Sequence, residues 1–364
     1  MGTVSDTLTL YKREMIIFFG NIKQNMARAT IFPFLIILVF GTLGNTATHV
    51  PIAIVNYANN PASVQFISDL GGQSVSVKGV TSQQNAEAML KSGEVDMMVI
   101  ISPSFPLDSN GNPSVMIYYT TSQFSSLSAI PFIESTASSM GAGASKVQQQ
   151  ADVVATPSFA AKGSYTTFLV GGVIIMAVAM AAMFSGGISI ITDRLSGNLK
   201  TFFIAPIDKI SIVLSKILSG ASQAMISAIV AIVIGLVFGA KIAMGAYGLA
   251  WILLLSALVA VGLGSITIIL TSFVDRIEVY ALMSQAVTLP LWFLAGAFFP
   301  TSALPSWLYP ISVIDPLTYA INGIRYVMMD GYYPVGAMAT DVGVLIAFAL
   351  VMFAIGMNVF KERV

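Results

Sequence analysis

The sequence contains no cysteine and a single histidine, His49. Disulfides, thiol catalysis and thiolate metal sites are thereby excluded, and one imidazole cannot supply the histidine pair of a zinc protease. No Gly-Lys dipeptide occurs anywhere, so a phosphate-cradling P-loop is absent. Charge is scarce as well. Only 9% of the 364 residues are charged, against about 25% in a soluble globular protein. The 17 acidic and 17 basic side chains cancel, which argues against nucleic acid as a partner.

What is abundant is apolar. Hydrophobic residues make up 56% of the chain, and the mean hydropathy is +0.83. A bilayer span needs about 20 mostly apolar residues. Six segments qualify: 29–44, 167–191, 213–239, 251–273, 279–299 and 343–360. The first is short and begins next to Arg28. The third holds Lys216, which is expected to snorkel from the helix end to the headgroups. The expected fold class is an α-helical polytopic membrane protein. The N-terminus lacks the basic, apolar, small-residue order of a cleaved signal peptide. Residues 1–28 are therefore expected to stay, as an amphipathic interfacial helix mixing Lys12, Arg13 and Lys23 with Ile16, Ile17, Phe18 and Phe19.

An even number of crossings leaves both termini on one side. If that side is the cytoplasm, the inner segments hold Lys12, Arg13, Lys23, Arg28, Arg194, Lys200, Lys209, Lys216, Arg276, Lys361 and Arg363, which is 11 of the 17 basic residues. The longer outer segments hold the remaining six. The positive-inside rule thus predicts a multi-pass cell-membrane protein with cytoplasmic termini and residues 45–165 external.

The external stretch differs in character. The runs at 51–58, 95–102 and 114–121 are β-branched and aromatic and read as strands. Residues 61–72 and 82–93 read as short helices, the second started by Ser82 and ended by Gly93, and a longer helix is expected at 125–154. Alternation of this kind predicts a small α/β domain. It is expected to be either a solubilising spacer or a lid or handover platform at the outer mouth.

Little in the spans suggests chemistry. Ionisable residues are nearly absent from them, whereas ion-coupled carriers usually keep an acid or histidine at membrane depth. His49 is an interface residue or, alternatively, a ligand or proton relay. Gly171, Gly172, Gly186, Gly187, Gly235, Gly239, Gly262 and Gly264 let helices approach closely, within one chain or between subunits. Met176, Met180 and Met183 recur at helical spacing, which suits lipid-facing or core packing, or an adaptable surface for varied hydrophobic ligands.

Two stretches stand out. Residues 190–209 read "IITDRLSGNLKTFFIAPIDK". Five charges at helix centres would each cost about 2.5–3.5 kcal/mol on insertion, so this is a connection between spans two and three (loop 192–210). Residues 294–331 read "LAGAFFPTSALPSWLYPISVIDPLTYAINGIRYVMMDG". Pro300, Pro305, Pro310 and Pro316 break any straight helix, yet aromatic and aliphatic residues fill the gaps. A re-entrant outer hairpin over 300–330 is expected.

The second stretch closely resembles the C-terminal signature of the type-2 ABC exporter permeases, in "GAFFP" followed by "LP", "PIS", "PLTYAI" and "IR". The first resembles that family's first cytoplasmic loop through Asp193, Arg194, Gly197 and Pro206. The insertion between spans one and two matches one branch of the family. The chain departs from the pattern where a second glutamate often follows the acidic–basic pair; here stand Leu195 and Ser196, and Lys200 replaces a common acid after the glycine.

The resemblance implies the membrane half of an ATP-driven exporter. It implies two permease copies as a homodimer within membrane lipid, a separate ATP-binding subunit, and no cofactor on this chain, with ATP and Mg on the partner. A lever around 199–204 would press Phe202 and Phe203 into the ATPase, with Asp193 and Arg194 setting its angle. Asp275, Arg276 and Glu278 would form a second contact, and the N-terminal helix with Arg13 a third. Met176, Met180, Phe184, Leu291 and Phe298 would line the path. At an outer gate beside Pro300, Asp315 or Asp330 would pair with Arg325. The expected cargo is hydrophobic or amphipathic: a lipid, glycolipid or drug-like molecule. Sodium extrusion, or a non-transporting sensor using the external domain, are the alternatives.

Overall fold

Inside a bilayer, backbone polar groups must be satisfied within the chain, which makes long apolar runs helical. A computed structural model of the chain describes residues 3–46, 50–71, 75–92, 94–106, 115–119, 129, 133, 136–137, 140, 146–149, 165–204, 207–298, 301, 304 and 307–360. Among the described residues, six helices are long and apolar enough to cross a membrane.

Helix α1 (Thr3–Gly20) precedes α2 (Ile22–Thr46), the first of the six. The expected first span thus starts earlier, at Ile22. Helix α1 turns Asp6, Thr7, Leu10, Glu14 and Phe18 inward at helical spacing. Ile16 and Phe19 stand exposed on it. Its inward face thus mixes the polar Asp6, Thr7 and Glu14 with the apolar Leu10 and Phe18.

Among the described residues, the insertion is a five-stranded sheet packed by the helices Pro61–Gly71 and Gln83–Ser92. In chain order it comprises β1 (Val50–Asn56), α3 (Pro61–Gly71), β2 (Val75–Val80), α4 (Gln83–Ser92), β3 (Met97–Ile101), β4 (Val115–Tyr119) and β5 (Lys146–Gln149). Strand order is β2-β1-β3-β4-β5. β1 runs parallel to β2 and β3, β3 antiparallel to β4, and β4 parallel to β5. Alternate residues face opposite ways. Ile52 and Ile54 pack with Phe66 and Leu70 of α3, while Ala53 and Val55 pack with Ala86 and Leu90 of α4. Two expectations need correction. β2 is a strand that sequence reasoning passed over. The helix expected at 125–154 is interrupted, because 146–149 instead pairs with the edge of β4; most of the rest of that range, like Gly93, lies outside the described residues.

Helix α5 (Tyr165–Leu195) returns through the middle of the bundle, with Val173, Ile174, Ile175 and Val178 fully buried. A short helix α6 (Asn198–Ile204) connects it to α7 (Lys209–Val237), followed by α8 (Gly245–Thr271) and α9 (Ile277–Leu294). Small residues pack helices within this one chain. Gly172 lies against the backbone of Ala297, and Gly187 against the Tyr280 ring. Beyond α9 come α10 (Tyr309–Ile314) and α11 (Pro316–Arg325), a π-turn over Tyr326–Asp330, and α12 (Val335–Val359). Pro310 and Pro316 sit at the starts of α10 and α11, where a missing N–H costs nothing. Pro300 and Pro305 lie outside the described residues.

Candidate functional site

The end of the bundle carrying the 196–208 and 272–276 connections holds most of the expected site residues. Helix α5 extends past the expected 191, so Asp193 and Arg194 lie in its last turn. Neighbours on a helix point about 100° apart, and these two diverge. Arg194 donates through Nη1 to the Val274 carbonyl at 3.0 Å and to Asp275 Oδ1 at 2.9 Å, and through Nη2 to the Thr271 carbonyl at 3.0 Å. It thereby satisfies the open carbonyls at the end of α8. Gly197 turns the chain with φ 76°, a left-handed conformation that favours glycine. Leu199 of α6 is buried beside Ile190, Ile212 and Ile217, which fixes α6 to the ends of α5 and α7. Arg276 stands at the N-terminal boundary of α9 without a side-chain cap, and Glu278 lies in its first turn, where the helix dipole favours an acid. Pro206 and the Phe203 side chain lie outside the described residues.

Asp193 turns inward, to a buried ion cluster. Its Oδ1 accepts from Arg13 Nη2 at 2.7 Å, and its Oδ2 from Lys216 Nζ at 2.5 Å. Lys216 Nζ also donates to Glu14 Oε1 at 2.8 Å and lies 2.7 Å from Ser189 Oγ. Ser189 in turn donates to Glu14 Oε2 at 2.6 Å. Arg13 Nη1 reaches Glu14 Oε1 at 3.0 Å, and the guanidinium stands 5.2 Å from the Phe202 ring centre. The hydrogen bond to Asp193 raises the Arg13 pKa, opposed by desolvation and reinforced by the charges of Asp193 and Glu14. The expected snorkelling of Lys216 is corrected: its side chain is 3% exposed, and its ammonium stays among these acceptors. The cluster ties α1, α5 and α7 together and touches α6.

Glu14 escaped sequence reasoning. Its signal was its place on α1: four residues after Leu10 and four before Phe18, it shares their inward face, where a lone acid calls for a cation. Lys216 was the cation within the expected third span.

Beside the cluster, a groove of about 770 Å³ runs between α1, α2, α5 and α7. Met180 and Phe184 of the expected path line it, with Phe18 and Phe32 opposite. The other path residues are elsewhere. Met176 is buried at 1% exposure, Leu291 packs partly buried against the bundle core, and the Phe298 ring lies 5.1 Å from Phe40.

At the opposite end, the expected pairing of Asp315 with Arg325 does not form. Asp315 instead caps α11: its Oδ1 accepts from the Leu317 N–H at 2.9 Å, and its Oδ2 has no hydrogen-bond partner among the described residues. Burial pushes this carboxyl up to about 7, against the backbone hydrogen bond that lowers it. Arg325 donates through Nη2 to the Gly296 carbonyl at 2.6 Å, and its guanidinium covers the Phe168 ring at 3.5 Å. The Asp330 side chain and Pro300 lie outside the described residues.

A family model described as "ABC-2 family transporter protein" matches residues 29–357. The chain is 32% identical over 171 residues to ycf38 of Porphyra purpurea, which carries the name of a transport permease. That match covers 46% of this chain and 58% of the relative. Identity to the inner membrane transport permease YadH of Escherichia coli (strain K12) is 25% over 194 residues, covering 53% of this chain and 73% of that protein. With nodulation protein J of Rhizobium meliloti (strain 1021) it is 29% over 118 residues, covering 31% of this chain and 44% of that protein.

Proposed function

The chain belongs to the ABC-2 family of transporter proteins, and we propose that it is the permease subunit of an ATP-driven exporter of hydrophobic or amphipathic molecules. ATP is hydrolysed on a separate subunit, in keeping with the missing P-loop, and two copies of this chain assemble around the path. The termini and the 196–208 connection face the cytoplasm, in line with the distribution of basic residues, and the α/β insertion lies outside.

The observation that carries this reading is the apolar surface at the connection end of the bundle. Ile204 at the tip of α6 is 86% exposed, Leu195 is 66% exposed and Phe273 is 63% exposed. On the positive-inside orientation these side chains stand at the cytoplasmic surface, where large apolar groups await a protein partner. Directly behind them, Arg194 binds α5 to the end of α8, and the Asp193 cluster binds α5 to α1 and α7. A push on α6 by the closing ATP-binding subunits is thus delivered to four helices at once. At this cluster the carboxylates Glu14 and Asp193 are already matched by Arg13 and Lys216, which disfavours sodium binding there.

Co-expression with a lone ATP-binding subunit tests the reading. The two are expected to co-purify, and Ile204→Asp is expected to abolish that association while the chain still inserts and melts normally. Failure of any ATP-binding subunit to associate would overturn the assignment.

A further inference from the structure

Of the charged side chains described in the ion cluster, Glu14 and Asp193 line the adjoining groove, and both are paired with Arg13 and Lys216. Lys216 has three N–H donors, and Glu14, Ser189 and Asp193 use all three. Arg13 is held by Asp193 and Glu14. Two cations and two anions therefore close on one another, and the other described side chains of the groove are uncharged. Gln223, Asn21, Asn25, Thr192 and Ser227 line it alongside the apolar Phe18, Phe32, Met180 and Phe184.

One of these polar groups has no use inside the protein. Gln223 stands midway along α7, in a segment that crosses the membrane, and its carboxamide makes no hydrogen bond to any described residue. A carboxamide at that depth costs free energy unless something hydrogen-bonds to it. Polar and apolar surfaces on one groove match a molecule with both kinds of surface.

Resting on the exporter reading above, we propose that this groove is the entry site for an amphiphile whose head is uncharged and rich in hydroxyl or amide groups, such as a glycosyl lipid. The chain of the amphiphile lies along Phe32, Met180 and Phe184. Its head hydrogen-bonds Gln223 and the hydroxyls of Thr192 and Ser227. Among the described side chains, an anionic phosphate head finds no unpaired cation here, and a cationic head no unpaired carboxylate. Either would enter with its charge uncompensated, which is the costlier state.

The test uses the full chain in phospholipid nanodiscs and three photoreactive probes with one diazirine-bearing alkyl tail, differing only in the head: glucoside, phosphate or trimethylammonium. The glucoside is expected to crosslink at Phe18, Phe32, Met180 or Phe184 and to outcompete the charged probes. Gln223→Leu should lower glucoside labelling about fivefold, the loss of one hydrogen bond in an apolar setting, and leave labelling by the trimethylammonium probe unchanged. Met180→Trp, which fills the groove, should remove labelling by the glucoside whether or not Gln223→Leu folds. Equal labelling by all three heads, or glucoside labelling that survives Met180→Trp, overturns the proposal. The transport reading is judged separately, from ATP hydrolysis by the assembled permease and ATP-binding subunit. Groove labelling without stimulation sinks that reading and leaves the site, whereas stimulation with labelling elsewhere does the opposite.

Discussion

Lys216 Nζ lies 2.8 Å from Glu14 Oε1, with both side chains at most 5% exposed. The bond joins the N-terminal helix to the third span across 202 residues of sequence. Neither charge could stay buried alone. Isolated buried ions are so costly that such groups neutralise instead, whereas a matched pair with further hydrogen bonds is sustainable. The N-terminal helix is therefore an integral part of the bundle, held by charge on its inner face and free to present Ile16 and Phe19 to lipid on the other.

Removing one partner should expose this dependence. Lys216→Met leaves Glu14 and Asp193 facing each other in a buried site, and breaking such a cluster typically costs about 3–5 kcal/mol. Adding Glu14→Gln to Lys216→Met removes one of the stranded charges and should restore part of the loss. Thermal unfolding of Lys216→Met, Glu14→Gln and the double variant in detergent measures this coupling. Additive losses would show that the two side chains do not interact.

Arg194 makes a different demand. Its fork reaches two carbonyls and the Asp275 carboxylate together, a geometry that a lysine ammonium on a flexible stem does not reproduce. Arg194→Lys should therefore keep the charge and still lower substrate-stimulated ATP hydrolysis in the assembled transporter, with normal membrane insertion. Wild-type stimulation in Arg194→Lys would show that charge alone suffices and that the tie to the end of α8 is not used in coupling.

Sequence reasoning reached the spans because twenty-residue apolar runs have one outcome in a bilayer. It reached three strands and two helices of the insertion because their periods differ. It missed β2, whose "VSVKGV" is half polar and exposed, and β5, whose strand state depends on the edge of β4 and not on its own residues. At the site, Asp193 and Arg194 were legible as a pair. Their divergence was not, because it depends on α5 continuing to Leu195. Of the two acids expected from charge alone to pair with Arg325, the Asp330 side chain lies outside the described residues, and Asp315 does not pair with Arg325 because nearer backbone groups hold it. Asp315 faces the free N–H groups of a helix started by Pro316, and Arg325 faces the turn carbonyls of Gly296 and Ala297.

Glycines at helix contacts give a test of packing within the chain. An added Cβ at Gly187 would overlap the Tyr280 ring, whereas one at Gly336 meets nothing within 4 Å. Gly187→Ala should destabilise the protein by about 1–3 kcal/mol, the usual cost of overpacking. Gly336→Ala lies in α12 and should be neutral or slightly stabilising, because alanine favours helix. Melting temperatures of the two variants in the same detergent decide the matter, and equal shifts would contradict the close α5–α9 contact.

Asp315 predicts a pH dependence of stability with a definite sign. Its carboxyl is pushed up to about 7 in the folded protein by burial, while an unfolded aspartate titrates near 3.9. Between these values the folded state holds a proton that the unfolded state has released. By linkage, this group's contribution is most favourable below the unfolded value, declines as pH rises from about 4 to about 7, and levels off above. The folding equilibrium changes by at most about tenfold per pH unit from this one group. Asp315→Asn keeps a good helix cap for α11 and removes the titration. It should match the wild type near the acidic end, exceed it in stability at neutral pH and above, and show a flatter profile between. Asp315→Ala loses the cap as well and should fall below Asp315→Asn at every pH. A wild-type slope that persists unchanged in Asp315→Asn would place the titrating group elsewhere.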